Sequence, residues 1–172
     1  MATKAIPDGY HSLTPYLVIK GAADAIEYYK KVFGATETVR MPGPGGAIMH
    51  AEVKIGNSML MLADENPERG HLSPKTLGGP GVSIMLYTDD VDATFRKAVD
   101  TGSKTEQPPM DMFWGDRMAN ITDPFGHKWA IAIRCIRSSR RSNCCAGFRT
   151  HRCGWSRTVV TDQSLEIRPR RS

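Results

Sequence analysis

The feature that most constrains the fold of this chain is an internal repeat. Residues 17–37 (LVIKGAADAIEYYKKVFGATE) predict a strand, a turn, an amphipathic helix and a glycine stop, and residues 86–102 (LYTDDVDATFRKAVDTG) predict the same order again. A strand pair closed by a tight turn follows each copy, at residues 51–62 and 119–133. Two imperfect copies can match by coincidence, whereas a true repeat predicts two halves that face each other with a site between them.

Hydrophobic spacing and turn residues predict where the elements of each half lie. The pair Gly56-Asn57 predicts a two-residue hairpin turn, and Asp89 or Asp90 is the expected N-cap of the second helix. The predicted strands span residues 13–20, 50–55, 58–63, 82–88, 117–122 and 128–133, the helices 22–33 and 91–99, and irregular loops 41–46 and 107–116. Each helix is expected to pack on one face of its sheet.

The length of the chain bounds its organisation. At 172 residues it can bury one sizeable core, which predicts one domain built from two modules. It has no run of about eighteen apolar residues, and its N-terminus lacks a charged-then-apolar leader. We therefore expect a cytoplasmic protein that does not associate with membranes.

Charge divides the chain sharply after residue 134. Residues 1–134 carry nine Lys and five Arg against sixteen Asp and Glu, a net charge of −2, whereas residues 135–172 carry nine Arg against one Asp and one Glu, a net charge of +7. All four cysteines lie in this tail (residues 135–172), without a Cys-x-x-Cys spacing that would hold a metal. The tail lacks helical and strand periodicity, so we expect a disordered extension or a segment read out of frame. The alternative is a basic arm that binds nucleic acid, which we rank below the first interpretation.

Four stretches of the repeat carry a resemblance to a known family. They are TPYLVIKGAADAIEYYKKVFGA (14–35), MHAEVKIGNSMLMLADE (49–65), WGDR (114–117) and DPFGHKW (123–129). The sequence resembles the vicinal-oxygen-chelate superfamily of glyoxalases, bleomycin-resistance proteins and ring-cleaving dioxygenases, and is most similar to its PhnB-like branch. The resemblance implies an α+β fold in which two βαβββ modules form a cupped, mainly antiparallel eight-stranded sheet, as in glyoxalase and bleomycin-resistance proteins. It also implies a homodimer with a ligand or metal in the cup.

The resemblance also divides the chain into parts. It covers about residues 10–134, and we place module one at about residues 10–64, a linker at 65–81 and module two at 82–134. The Arg- and Cys-rich tail at 135–172 lies beyond it.

The positions that hold a metal in the family carry unsuitable side chains in this chain. Metal-using members place His or Glu on four strands, and the matching positions are Thr14, Met61, Ser83 and Ala130. Divalent cations need several imidazole or carboxylate donors, so we expect neither the usual metal site nor another cofactor. A divalent metal bound elsewhere is left open.

Two polar residues of one strand are the catalytic candidates. A two-residue turn at Gly56-Asn57 would pair Glu52 with Met61, and His50 would lie two residues along on the same face. Glu52 and His50 could bind one metal weakly or act as base and orienter on a substrate proton. The alternative is that both are ordinary polar residues on a partly hydrated face, because no third ligand is visible.

Methionine and aromatic side chains are predicted to line the cup. Alternation along the strands, together with the loop above them, gives the candidate ligand-binding residues Tyr16, Met59, Met61, Met85, Tyr87, Phe113 and Trp114. Such a lining suits a flexible apolar or aromatic ligand, and the same side chains could equally fill a concave core. Arg117 is a further candidate, either as a clamp for an anionic group or as the surface partner of a nearby acid.

Two functions of different classes follow from these residues. The first is a small-molecule-binding protein similar to the bleomycin-resistance type, with its ligand in a cup that lacks the usual metal site. The second is a lyase, isomerase or oxidoreductase of the same superfamily that uses Glu52 and His50 with a non-standard divalent metal. In both, the expected partners are a small-molecule ligand and a second copy of the chain.

Overall fold

The computed structural model describes residues 4–134 of the chain, so the predictions made for the tail lie outside the described residues. In chain order the elements are β1 (Tyr16–Ile19), α1 (Ala22–Phe33), β2 (Thr36–Pro42), β3 (Ile48–Ile55), β4 (Ser58–Asp64), α2 (Pro74–Leu77), β5 (Ser83–Tyr87), α3 (Val91–Asp100), β6 (Lys104–Asp111), β7 (Asp116–Thr122) and β8 (Lys128–Arg134). Short 3-10 turns lie at Pro44–Gly46 and Pro67–Arg69. No helix within residues 4–134 is both long and apolar enough to cross a membrane.

The strands form two four-stranded sheets that share one topology. The first sheet has the order β1-β4-β3-β2 and the second has the order β5-β8-β7-β6. In each sheet the first strand pairs in parallel with the last strand of its half, and the other pairs are antiparallel. The matching orders confirm the predicted repeat and the α+β fold of two βαβββ modules. Within residues 4–134 the ladders stay inside each sheet, so the eight strands form two open sheets and not one continuous sheet.

Carboxylates cap both long helices. Asp90 caps α3, because its Oδ1 accepts a hydrogen bond of 2.8 Å from the backbone N–H of Ala93. The cap of α1 comes from β4, where Asp64 Oδ1 accepts from the N–H groups of Gly21 at 2.9 Å and Ala22 at 2.8 Å. The second oxygen of Asp64 accepts from the N–H of Ile48 at 2.7 Å, so one carboxylate joins a helix start to two strands.

Two segments predicted as irregular loops are partly strand. β2 continues to Pro42, and β6 continues through Gln107 and the following two prolines to Asp111. The loop predictions were wrong there. Proline lacks a backbone N–H and therefore disrupts a central strand, but an edge strand can accept it where no neighbouring strand needs that donor. Both strands lie at sheet edges, and the pairing of β6 with β7 shifts register between Gln107 and Met110.

Aromatic side chains of α1 join the cores of the two halves. Tyr29 packs on Trp129 of β8 with ring centroids 5.5 Å apart, and Phe33 lies 4.6 Å from Trp129. Tyr28 meets Phe125 edge to face with ring centroids 5.9 Å apart. The helix of the first half therefore completes the core of the second half.

A buried carboxylate stands at the centre of this junction. Asp123 is 3% exposed, and its two oxygens accept four hydrogen bonds of 2.9 to 3.0 Å. The donors are the Tyr29 hydroxyl, the Trp129 indole N–H, and the backbone N–H groups of Phe125 and His127. Each carboxylate oxygen accepts from two donors, so burial of the negative charge leaves no acceptor without a hydrogen-bond partner.

Candidate functional site

The face of the first sheet that is turned away from its buried core carries the two catalytic candidates. Glu52 lies opposite Met61 on β4, as the two-residue turn predicts, and Met61 lies opposite Tyr16 on β1. Tyr16, Met61 and Glu52 therefore form one row across the sheet, and His50 shares their face two residues along β3.

Hydrogen bonds join four side chains on this face, which we call the Glu52 cluster (Tyr10, Tyr16, His50 and Glu52). His50 Nε2 lies 3.2 Å from Glu52 Oε1, and His50 Nδ1 lies 3.0 Å from the Tyr16 hydroxyl. The second carboxylate oxygen, Glu52 Oε2, accepts a hydrogen bond from the Tyr10 hydroxyl. Each polar group of the cluster that the sequence singled out thus has a defined partner.

The electrostatics of the cluster favour an ionised carboxylate. The hydrogen bond from Tyr10, and then that from His50, lowers the pKa of Glu52 below its ordinary value against the opposing effect of burial. The same contact with Glu52 raises the pKa of the Tyr10 hydroxyl. Glu52 is only 9% exposed, so it is a nearly buried anion that accepts hydrogen bonds.

A second group of predicted residues lines a cleft between the two modules. The cleft has a volume of about 750 Å³ and lies between the β3–β4 turn and the outer strand β5. Met59, Met85 and Tyr87 line it together with Trp129. Met85 and Tyr87 are 50% and 58% exposed, so the cleft has accessible apolar walls. Polar side chains at the cleft are His11, Asn57, Ser58, Thr88, Asp89, Thr94 and Lys97.

Arg117 lies on the opposite face of the second sheet from Met85 and Tyr87. Its guanidinium donates two hydrogen bonds of 2.7 Å to Asp92 of α3 and one of 2.9 Å to Asp111. These two carboxylates, Asp92 first, raise the pKa of Arg117 above its usual range. The geometry matches the alternative of a local ion pair, and it leaves Arg117 away from the cleft.

Phe113 and Trp114 project from the loop between β6 and β7. Their rings meet edge to face with centroids 4.8 Å apart, and the Trp114 indole N–H donates to Asp116 Oδ2 at 3.2 Å. Phe113 is 94% exposed. Neither side chain is among those that line the cleft within this chain.

The four positions that the resemblance matches to the superfamily's metal ligands carry side chains that divalent cations seldom use. The Thr14 hydroxyl donates to the backbone oxygen of His11 at 3.3 Å. Met61 offers a thioether, Ser83 a neutral hydroxyl, and the side chain of Ala130 no donor atom. Within residues 4–134, no three His, Cys, Asp or Glu side chains come together as a metal site. The four side chains at these positions provide no imidazole or carboxylate donor.

Tyr10 is the member of the Glu52 cluster that the sequence did not single out. Its contact with Glu52 spans 42 positions and starts from a segment without regular structure. Neither periodicity nor turn chemistry reports such a contact. The sequence indicated only that a tyrosine lies a few residues before the first strand, which does not predict its contact with Glu52.

Fold and site together define a two-module α+β protein with an accessible cleft lined by methionine and aromatic side chains. The family model of the Glyoxalase/Bleomycin resistance protein/Dioxygenase superfamily matches residues 11–131. The chain belongs to this superfamily.

The chain is also similar to individual proteins in sequence and in structure. An uncharacterized protein of Mycobacterium tuberculosis is 41% identical over 123 residues, which cover 70% of this chain and 72% of that protein. The crystal structure of TioX from Micromonospora sp. ML1 is 25% identical with a TM-score of 0.57, covering 73% of this chain and 99% of that chain. A PhnB protein from Bacillus cereus has a TM-score of 0.57 over 72% of this chain and 99% of its own, and at 14% identity it shows the shared fold alone.

Proposed function

We propose that the chain is a small-molecule-binding protein whose ligand lies in the cleft between the modules, without the superfamily's usual metal site. The observation that most supports this is the half-exposure of Met85 and Tyr87 beside Met59 in a cleft of about 750 Å³. Large apolar side chains that stay accessible in a concave surface are typical of ligand sites, and this volume suits a drug-sized molecule.

The composition of the cleft favours a flexible, partly aromatic ligand. Methionine side chains adapt to irregular apolar shapes, and the Tyr87 ring offers a flat surface for stacking. Polar groups such as Asn57 and Lys97 lie among the lining residues and can orient the polar end of a ligand.

We also propose that the working form is a cytoplasmic homodimer. Apolar surface remains accessible outside the cleft, at Tyr16 (50% exposed) and at the Phe113–Trp114 pair. A second copy that covers these side chains would bury them and bring Phe113 and Trp114 to a partner's sheet. Sedimentation of the full chain and of Phe113→Glu tests this, because a charge at the interface should shift the protein to the monomer.

A thermal-shift screen of metabolites and antibiotics, followed by titration calorimetry of the hits, tests the binding proposal. Tyr87→Ala should weaken a true cleft ligand roughly tenfold, since a buried aromatic contact is lost. Leu77→Ala is the matched control, because Leu77 is 62% exposed and does not line the cleft. Hits whose affinity is the same in both variants and in wild type would contradict binding in the cleft.

A lyase, isomerase or oxidoreductase is the second candidate, and the Glu52 cluster favours it. An ionised carboxylate beside an imidazole is an arrangement that can take a substrate proton, with His50 as orienter. Metal analysis of the purified full chain discriminates between the two functions. Stoichiometric Zn, Ni or Fe that is lost in Glu52→Gln but kept in Glu37→Gln would favour the enzyme, with a non-standard metal at Glu52 and His50.

A further inference from the structure

The Tyr10 hydroxyl connects the segment that precedes β1 to the first sheet. Among the described residues 4–13, hydrogen bonds other than the one from Tyr10 to Glu52 stay local, such as Lys4 to Asp8 at 2.8 Å. The neighbouring residues Gly9 and His11 are exposed, while Tyr10 itself is half-buried. Within residues 4–13, the hydrogen bond from the Tyr10 hydroxyl is thus the one that reaches the sheet.

Glu52 requires that hydroxyl or a substitute for it. The carboxylate is nearly buried and ionised, and one of its oxygens is engaged by His50. When Tyr10 moves away, Oε2 loses its donor, and a buried acceptor without a partner is unfavourable. A hydroxyl group of a ligand would restore the bond, because a carboxylate accepts from any well-placed donor.

We propose that the Glu52 cluster binds the hydroxyl group of a hydroxyaromatic ligand, and that Tyr10 occupies this position in the ligand-free chain. The ligand's phenol would donate to Glu52 Oε2 as Tyr10 does. Its ring would take the place of the Tyr10 ring. The Tyr16 and His50 rings, whose centroids lie 5.6 Å apart, belong to the same hydrogen-bonded cluster.

The same face connects this position to the cleft. Met61 lies opposite Glu52, and Met59, two residues along β4 on the same face, lines the cleft. Two residues along a strand span about 7 Å, which is close to the length of one aromatic ring with its substituents. A single ligand can therefore place its hydroxyl at Glu52 and its apolar body along Met61 and Met59. This inference rests on the proposed binding function and adds the chemical class of the ligand.

Titration of the full chain with p-cresol tests the inference, with toluene as the matched compound that lacks the hydroxyl. Tyr10→Ala should bind p-cresol roughly tenfold more tightly than wild type, since the competing hydrogen bond to a charged group is removed. Tyr10→Phe keeps the ring and should show a smaller gain in the same direction. Asp8→Ala is the control, because Asp8 lies in the same segment and is exposed.

The hydroxyl requirement is tested in the Tyr10→Ala background. That variant should prefer p-cresol to toluene roughly tenfold, and adding Glu52→Gln should reduce this preference. The inference is overturned if both Tyr10 variants bind p-cresol no better than wild type, or if toluene binds as well as p-cresol. Its failure is separate from that of the cleft proposal, because hits weakened by Tyr87→Ala would still establish cleft binding.

Discussion

Single residues determine how the two modules are joined, and Asp123 is the clearest case. Its carboxylate receives two side-chain and two backbone hydrogen bonds while almost fully buried. One of the donors, Tyr29, belongs to the other module, so the carboxylate acts across the junction.

Asp123→Asn should therefore destabilise the folded chain by about 2–4 kcal/mol. The amide replaces one accepting oxygen by a donor that faces other donors, and it removes the charge that strengthens the remaining bonds. Urea denaturation of the full chain measures the change. Asp100→Asn, at an exposed helix end, is the control and should change the free energy of unfolding by less than about 0.5 kcal/mol. Equal effects of the two substitutions would contradict the role given to Asp123.

The sequence predicts the position of a residue where a turn of known length fixes the strand register. It does not predict the position where the length of the turn is itself undetermined. The pair Gly56-Asn57 sets the register of its hairpin, so the pairing of Glu52 with Met61 was predictable and is confirmed. The face of Arg117 depends on the next turn. Thr122 pairs with Lys128 there, and residues 123–127 form the turn, with a hydrogen bond of 2.9 Å from the Asp123 N–H to the His127 oxygen. One residue fewer would have turned Arg117 to the other face, and the sequence does not determine that number.

At the scale of elements, the two long helices differ in where their caps come from. Asp90 is adjacent to α3 and serves one N–H group, whereas Asp64 serves two N–H groups at the start of α1 and a third at the start of β3. The local cap was predictable from sequence as one of two aspartates. The distant cap was not, because Asp64 lies 42 positions from Ala22 along the chain.

Asp64→Ala should consequently cost more stability than Asp90→Ala. We expect about 1 kcal/mol for Asp90→Ala, the usual cost of losing one N-cap, and about 2–3 kcal/mol for Asp64→Ala, because three donors lose their acceptor. Chemical denaturation of both variants beside wild type provides the comparison. A larger effect at Asp90 would mean that water replaces Asp64 at α1 without penalty.

The two edge strands β2 and β6 are longer than the sequence predicts. Proline-rich stretches were assigned to loops, yet β2 and β6 accept prolines because they lie at the outside of their sheets. The position of a strand within a sheet is a property of the tertiary fold. Composition alone therefore underestimates the length of such strands.

At the scale of the whole molecule, the repeat predicted the order of the strands but not the junction of the modules. Both halves have the same topology, as the repeated sequence indicates. The packing of α1 on Trp129 and Phe125 leaves no periodic signal, because the residues that meet are far apart in sequence.

Deletion of residues 135–172 should leave a folded protein with unchanged melting temperature and the same oligomeric state. The elements described end at Arg134, and the superfamily match ends at residue 131. Removing a net charge of +7 leaves −2, so the pI should fall from about 9.1 to a mildly acidic value. Differential scanning calorimetry and isoelectric focusing of both forms provide the measurements.

The same pair of proteins tests the alternative interpretation of the tail. A basic arm would give the full chain an affinity for DNA that falls steeply with salt, since each neutralised phosphate releases counterions. Salt-sensitive DNA binding by the full chain, absent after truncation, would contradict the interpretation of the tail as a disordered or out-of-frame extension. Matched salt titrations by fluorescence anisotropy distinguish the two outcomes.

The docking of α1 on the second module also has a consequence for biosynthesis. Tyr29 meets its partner Asp123 only after 94 further residues have been added to the chain. At about 5–20 residues per second the ribosome needs roughly 5–20 s for this stretch. During that interval the aromatic side of the helix has no surface to cover it, although the first sheet can already form. We therefore expect the nascent first half to be the form of this protein that binds chaperones most readily.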